Sequence, residues 1–177
     1  MNLLPSWSFT AVQEYLNCPR KYQLNRVLKV MPFVESEAMK QGNIVHGCNN
    51  RGGFGSGVAG AIRMTWPHIA VAYLDWYDSD ILMHPKLALG LVRKENVSFG
   101  LHVWNAITQD GYGRDPRTRY ARYDAIETAF RTINDNLQSV EPQFRPIHIP
   151  KIGAGLGNGN WKIIETIINE TVTTIPI

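Results

Sequence analysis

A chain of 177 residues, 44% hydrophobic and 19% charged, is long enough to bury one substantial core with room for a small appendage. No apolar run approaches the roughly 20 residues needed to cross a bilayer, and two cysteines, Cys18 and Cys48, are too few for a disulfide framework or a four-cysteine metal site. A formal charge of +3 does not by itself argue for nucleic-acid binding. The opening MNLLPSWSFT lacks a basic stretch followed by an apolar run, so the expectation is a cytosolic chain without a secretory signal. Two basic clusters stand out, Arg20, Lys21, Arg26 and Lys29, then Arg114, Arg117, Arg119 and Arg122. Each could meet phosphate or form a solvated face.

In chain order, Ser8 to Val30 reads as a helical segment with Ser8 as N-cap, interrupted at Cys18-Pro19. Residues 31–43 form a polar connector. From Ile44 the texture changes to alternating strands and helices. Ile44 to Cys48 is a short strand, Gly52 to Gly57 a loop, and Val58 to Thr65 a helix ending before Trp66-Pro67. A helix follows over Ile69 to Tyr77. Leu87 to Lys94 and Leu101 to Thr108 read as strands, the second so continuously apolar that it should be buried on both faces. Tyr120, Tyr123, Ile126, Phe130, Ile133 and Leu137 recur at helical spacing and predict a helix over Arg119 to Leu137. Pro146 to Ile149 is a short strand, Asn160 to Glu170 a helix and Val172 to Ile175 a closing strand. Such alternation implies an α/β fold with a mixed or largely parallel sheet.

Two connections are unusually rich in glycine, CNNRGGFGSGVAGAI from Cys48 and IGAGLGNGNW from Ile152, each between a strand and a helix. Glycine lets backbone N–H groups approach a ligand without a Cβ in the way. A following helix N-terminus adds partial positive charge, and together these can cradle phosphate. A single such loop can also be a tight turn. Neither matches the Gly-Lys-Ser/Thr phosphate loop or a dinucleotide fingerprint.

IVHGCNNRGGFGSGVAGAI resembles the first ligand loop of macro domains, particularly small phage, bacterial and fungal ones related to ADP-ribose-1″-phosphate phosphatases. IPKIGAGLGNGNW resembles the second ligand loop, and AITQDGYGRD followed by RYARYDAIETAF the central strand, loop and long helix. The resemblance implies a three-layer α/β/α macro domain with a mixed sheet over residues 44–177. It implies that Asn49 hydrogen-bonds a distal ribose and that Gly55, Ser56, Gly57 and Val58 line the pyrophosphate. Gly153, Ala154, Gly155, Leu156 and Gly157 would offer backbone N–H groups from the other side. In phosphatase-like members a histidine in the I-x-H-x-C-N pattern is a proposed catalytic group. His46 occupies that place, although a histidine in an apolar strand is otherwise a satisfied core side chain. Asp110 and Asp115 flank the glycines of the third loop and are either candidate acids and bases or ordinary turn aspartates. The implied function is binding of ADP-ribose or an ADP-ribosyl derivative, with or without hydrolysis, by a monomer needing no metal or cofactor.

The front of the chain fits this family poorly. The usual first strand and its Gly-Asp-Ile/Leu segment, whose aspartate contacts adenine, are missing. Residues 1–47 instead resemble the N-terminal segment of RecB-type PD-(D/E)XK nucleases, through SWS, CPRKY and GNIVH. On that reading His46 is a metal ligand, but no Asp…Glu-x-Lys set follows it. The expected organisation is a nuclease-like helical segment at 1–43 joined to a macro domain at 44–177. A DNA-binding remnant acting through Arg20 to Lys29 is the alternative function.

Overall fold

The computed structural model describes residues 42–113, 115–141 and 145–173. The predicted N-terminal helix, most of the connector after it and Arg114 lie outside them. Among the described residues four strands make one mixed sheet: β1 (Gly42–Asn49), β2 (Val92–Ser98), β3 (Leu101–Gln109) and β4 (Ile147–His148), in the order β2-β3-β1-β4. β1 runs parallel to β3 and β4, and β2 pairs antiparallel with β3. The helices among the described residues are α1 (Gly57–Thr65), α2 (Pro67–Trp76), α3 (Tyr123–Gln138) and α4 (Trp161–Thr171). Pro67 starts α2 because a first-turn N–H has no helical partner to lose. One π turn, Tyr77–Ile81, continues it.

Alternation along the parallel strands sorts the core into two layers. Val45, Trp104 and Ala106 face α3 and α4, packing with Ile126, Phe130, Ile133, Ile164 and Ile168. Each fully buried side chain of this kind contributes about 1.5–3 kcal/mol. The Trp104 indole N–H donates to Asn43 Oδ1 at 2.9 Å, so the polar edge of the ring is satisfied inside that layer. On the opposite face lie Ile44, His46 and Cys48, closed over by Phe54 and by Tyr73 of α2. β3 is buried almost throughout, as its continuous apolar run predicts.

Two predicted elements are displaced. Leu87 to Leu91 is a succession of tight turns, with N–H groups of Leu87, Leu89 and Leu91 donating to His84, Lys86 and Ala88, and the strand begins only at Val92. Leu87 is 78% exposed, so its apolar character marks no sheet face. The long helix starts at Tyr123 rather than Arg119, because Ala121 bridges to Gln109 and the N–H groups of Tyr120 and Ala121 both donate to Gly157 O. In place of the start of a closing strand, Val172 caps α4 through Ile168 O; residues 174–177 lie outside the described region. Among the described residues no helix is long and apolar enough to cross a membrane.

Candidate functional site

Because β1, β3 and β4 are parallel, the segments after them emerge at one end of the sheet, where α/β folds place their ligand crevices. The first loop is built around Asn49. Its Oδ1 accepts from the N–H groups of Arg51 at 2.9 Å and Gly53 at 3.1 Å, while its Nδ2 donates to Gly53 O at 2.6 Å. The side chain expected on a ribose thus folds its own loop, with one Nδ2 hydrogen left over. Tyr73 secures the base of the loop by donating to Asn49 O at 2.6 Å. Gly52 is required at φ +74°, where an added Cβ would lie 2.9 Å from the Tyr77 ring. Phe54 then turns inward, and Gly55, Ser56 and Gly57 are exposed at the start of α1, with Val58 half-buried. Ser56 makes no side-chain capping bond, and the first turn holds no acidic residue. The partial positive charge of that helix end is left for an outside anion.

The second loop is held from beneath. Gly157 O accepts from Tyr120 and Ala121 at 3.0 and 2.9 Å, and Gly159 N donates to Gly153 O at 2.8 Å. Asn158, at φ +53°, donates through Nδ2 to Pro116 O at 2.7 Å and Thr118 O at 3.2 Å. The predicted ligand residues therefore divide. Gly153 and Gly157 are buried structural glycines, Ala154 is half-buried, and Gly155 and Leu156 are exposed. A Cβ on Gly57 would come 3.9 Å from Leu156 Cδ1, whereas one on Gly55 or Gly155 would meet nothing within 4 Å. The two loops thus approach one another at Gly57 and Leu156, with open space at Gly55 and at Gly155.

The three candidate catalytic residues are placed very differently. His46 is fully buried; its Nε2 lies 2.7 Å from Asn105 Oδ1, and Phe54 meets the ring edge-on at a centroid distance of 5.4 Å. Burial lowers its pKa to about 4 against the raising effect of the Asn105 bond. The imidazole is enclosed and neutral, a core side chain not presented to the crevice. Burial also pushes the neighbouring Cys48 thiol up. Asp115 closes an exposed turn, accepting from Arg117 N at 3.0 Å and Thr118 Oγ1 at 2.9 Å, and these bonds lower its pKa. It serves as a turn aspartate. Asp110, 29% exposed, sits one residue beyond β3, with Asn50 Nδ2 at 3.1 Å and Arg122 at 3.8 Å. It alone of the three is both partly open and fixed to the first loop. Among the described residues no three His, Cys, Asp or Glu side chains gather as a metal site.

Sequence reasoning missed Asn50 and Tyr73. Asn50 is fully buried and ties the first loop to the third, donating through Nδ2 to Pro85 O at 3.0 Å and Asp110 Oδ1 at 3.1 Å and accepting from Gly111 N at 2.8 Å. The doubled asparagine at 49–50 was its only sequence signal.

Residues 6–52 match the family model of the PD-(D/E)XK nuclease superfamily. An uncharacterized 17.5 kDa protein in the tk-vs intergenic region of Enterobacteria phage T4 is 31% identical over 140 residues, covering 76% of this chain and 83% of that protein. A macrodomain protein from Streptomyces coelicolor is 31% identical with a TM-score of 0.62, over 77% of this chain and 84% of that one. Thermosipho africanus DarTG, in complex with ADP-ribose, shares the fold at 19% identity and a TM-score of 0.61, over 79% of this chain and 37% of that one.

Proposed function

This chain belongs to the macrodomain family, and on that premise we propose that it binds ADP-ribose, or an ADP-ribosyl group on another molecule, between its two glycine loops. The observation that carries the reading is the approach of the two glycine loops at Gly57 and Leu156, with open space at Gly55 and Gly155 and an uncapped helix end at one side. Backbone N–H groups and the α1 terminus suit a pyrophosphate. The ADP-ribose complex of the Thermosipho protein supports the compatibility of this fold with that ligand.

Binding should raise the unfolding free energy by about 2.7 kcal/mol at an ADP-ribose concentration a hundred times Kd. A thermal melt of the full chain reads this as a rising midpoint. A midpoint that does not move at millimolar ADP-ribose contradicts the reading.

Hydrolysis of ADP-ribose-1″-phosphate or a conjugate is a second reading, and Asp110 is the observation that favours it. Its carboxylate is partly exposed and accepts from Asn50 next to the first loop, and on this reading it would act as the base for water. Phosphate release should then be lost in Asp110→Asn with ADP-ribose binding retained. Release that persists in that variant contradicts the hydrolytic reading and leaves the binding one standing.

A further inference from the structure

We propose that Asn158 is a positioning residue for the crevice: it clasps residues 115–121, and through them the second glycine loop is held in place relative to the first. This role rests on the ADP-ribose reading and concerns what keeps the two sides of that site in register.

Asn158 stands in the second loop at φ +53°, alone among the described non-glycine residues in the left-handed region. Glycine takes up that conformation without a Cβ penalty, and glycines flank the position on both sides. The backbone therefore tolerates asparagine without requiring it. What the side chain adds is a pair of bonds. Nδ2 donates to Pro116 O at 2.7 Å and to Thr118 O at 3.2 Å, which commits both amide hydrogens. These acceptors lie 42 and 40 residues earlier in the chain, so the bonds join two separate loops.

The clasped residues are fixed at both ends. Thr118 N donates to Asp115 O at 3.1 Å, inside the turn that the Asp115 carboxylate closes. The N–H groups of Tyr120 and Ala121 then converge on Gly157 O, the residue before Asn158. The Ala121 methyl fills the floor of the second loop, where a Cβ added at Gly153 or at Gly159 would come 3.1 Å from it. From here the bonds lead on towards the first loop. Tyr120 O accepts from Asp110 N at 2.9 Å, and Asp110 Oδ1 accepts from Asn50 Nδ2 at 3.1 Å.

A contiguous run of hydrogen bonds thus connects Asn158 to the first glycine loop. Its two ends differ in burial: Asn50 is enclosed, whereas Asn158 is exposed. An exposed bond opens at less cost than a buried one, so the Asn158 clasp is the step at which the register of the two loops can loosen without unfolding the core.

The test combines calorimetry with ADP-ribose and hydrogen exchange of the ligand-free protein, on the wild type, Asn158→Gly and Asn158→Asp. Glycine keeps the left-handed backbone and deletes the clasp, whereas aspartate keeps the side-chain shape without its N–H donors; high salt screens the charge it adds. Both variants should bind ADP-ribose about five-fold more weakly than the wild type. The Tyr120 and Ala121 amides should exchange faster in both, with the β3 amides unchanged. Affinity within about two-fold of wild type in Asn158→Gly overturns the proposal, because the residue then serves only its own backbone. A loss in Asn158→Gly that Asn158→Asp does not share assigns the effect to chain freedom and overturns it too, as does faster exchange throughout β3. A wild type that does not bind at millimolar ADP-ribose removes the binding reading and this role with it, whereas wild-type binding that Asn158→Gly retains overturns the role alone.

Discussion

Replacing Gly55 with glutamate is expected to abolish ADP-ribose binding while the protein stays folded. Gly55 is exposed, its φ lies outside the left-handed region, and a Cβ there would touch nothing within 4 Å. The new side chain can therefore be accommodated without moving the loop. Its carboxylate would extend into the space between the loops, where the pyrophosphate is proposed to lie. Two like charges about 4 Å apart at an effective dielectric near 20 repel by about 4 kcal/mol, or about a thousand-fold in affinity. Calorimetry and a thermal melt on the same sample separate the two consequences. Loss of binding together with loss of the unfolding transition would contradict the claim that Gly55 serves only the crevice. Gly157 illustrates the contrary case, since a Cβ there would lie 2.6 Å from Gly153 O and disturb the loop itself.

Stability is expected to fall as pH drops from about 6.5 towards 4, through His46. The folded imidazole has its pKa lowered from 6.5 to about 4, first by burial. Between those values the unfolded chain binds the proton and the folded chain does not. The stabilisation from keeping His46 neutral is thus complete above about 6.5 and is lost progressively down to about 4. The full amplitude is about 3 kcal/mol. His102 and His148 are shifted the same way by burial, but both are only partly covered. Denaturant unfolding from pH 7 to 4 should show a shallower decline in His46→Gln than in the wild type. Equal slopes would mean that His46 titrates normally and is not enclosed. Asp115 and Asp124, with lowered pKa values, act below this window.

The parts of the fold set by local chemistry were legible in the sequence. The apolar run of β3 and the three- and four-residue spacing of α3 led directly to buried elements. The glycine loops were recognisable because closely approaching backbones and positive φ leave little choice of residue. What failed depended on partners distant in the chain. Leu87 and Leu91 suggested a strand, but both point outward from turns. Tyr120 fits the helical spacing of α3, yet its N–H donates to Gly157 O and the helix begins only at Tyr123.

The site was legible in its loops and less so in its chemistry. His46 could be read as a core side chain or a catalytic one, and Phe54 and Asn105 enclose it. Asp115 likewise resolves into a turn residue. Asn50 could not be found from spacing, since its partners Pro85 and Asp110 lie 35 and 60 residues away. Most of the Asn49 amide is spent on its own loop, which its position between strand and glycine loop does not reveal.

The most direct measurement of the central claim is calorimetric titration of the full chain with ADP-ribose, beside Gly55→Glu under the same conditions. Saturable binding at one site in the wild type and no heat in the folded variant are the expected results. No heat from the wild type at millimolar ADP-ribose, or equal binding by both proteins, would contradict that claim.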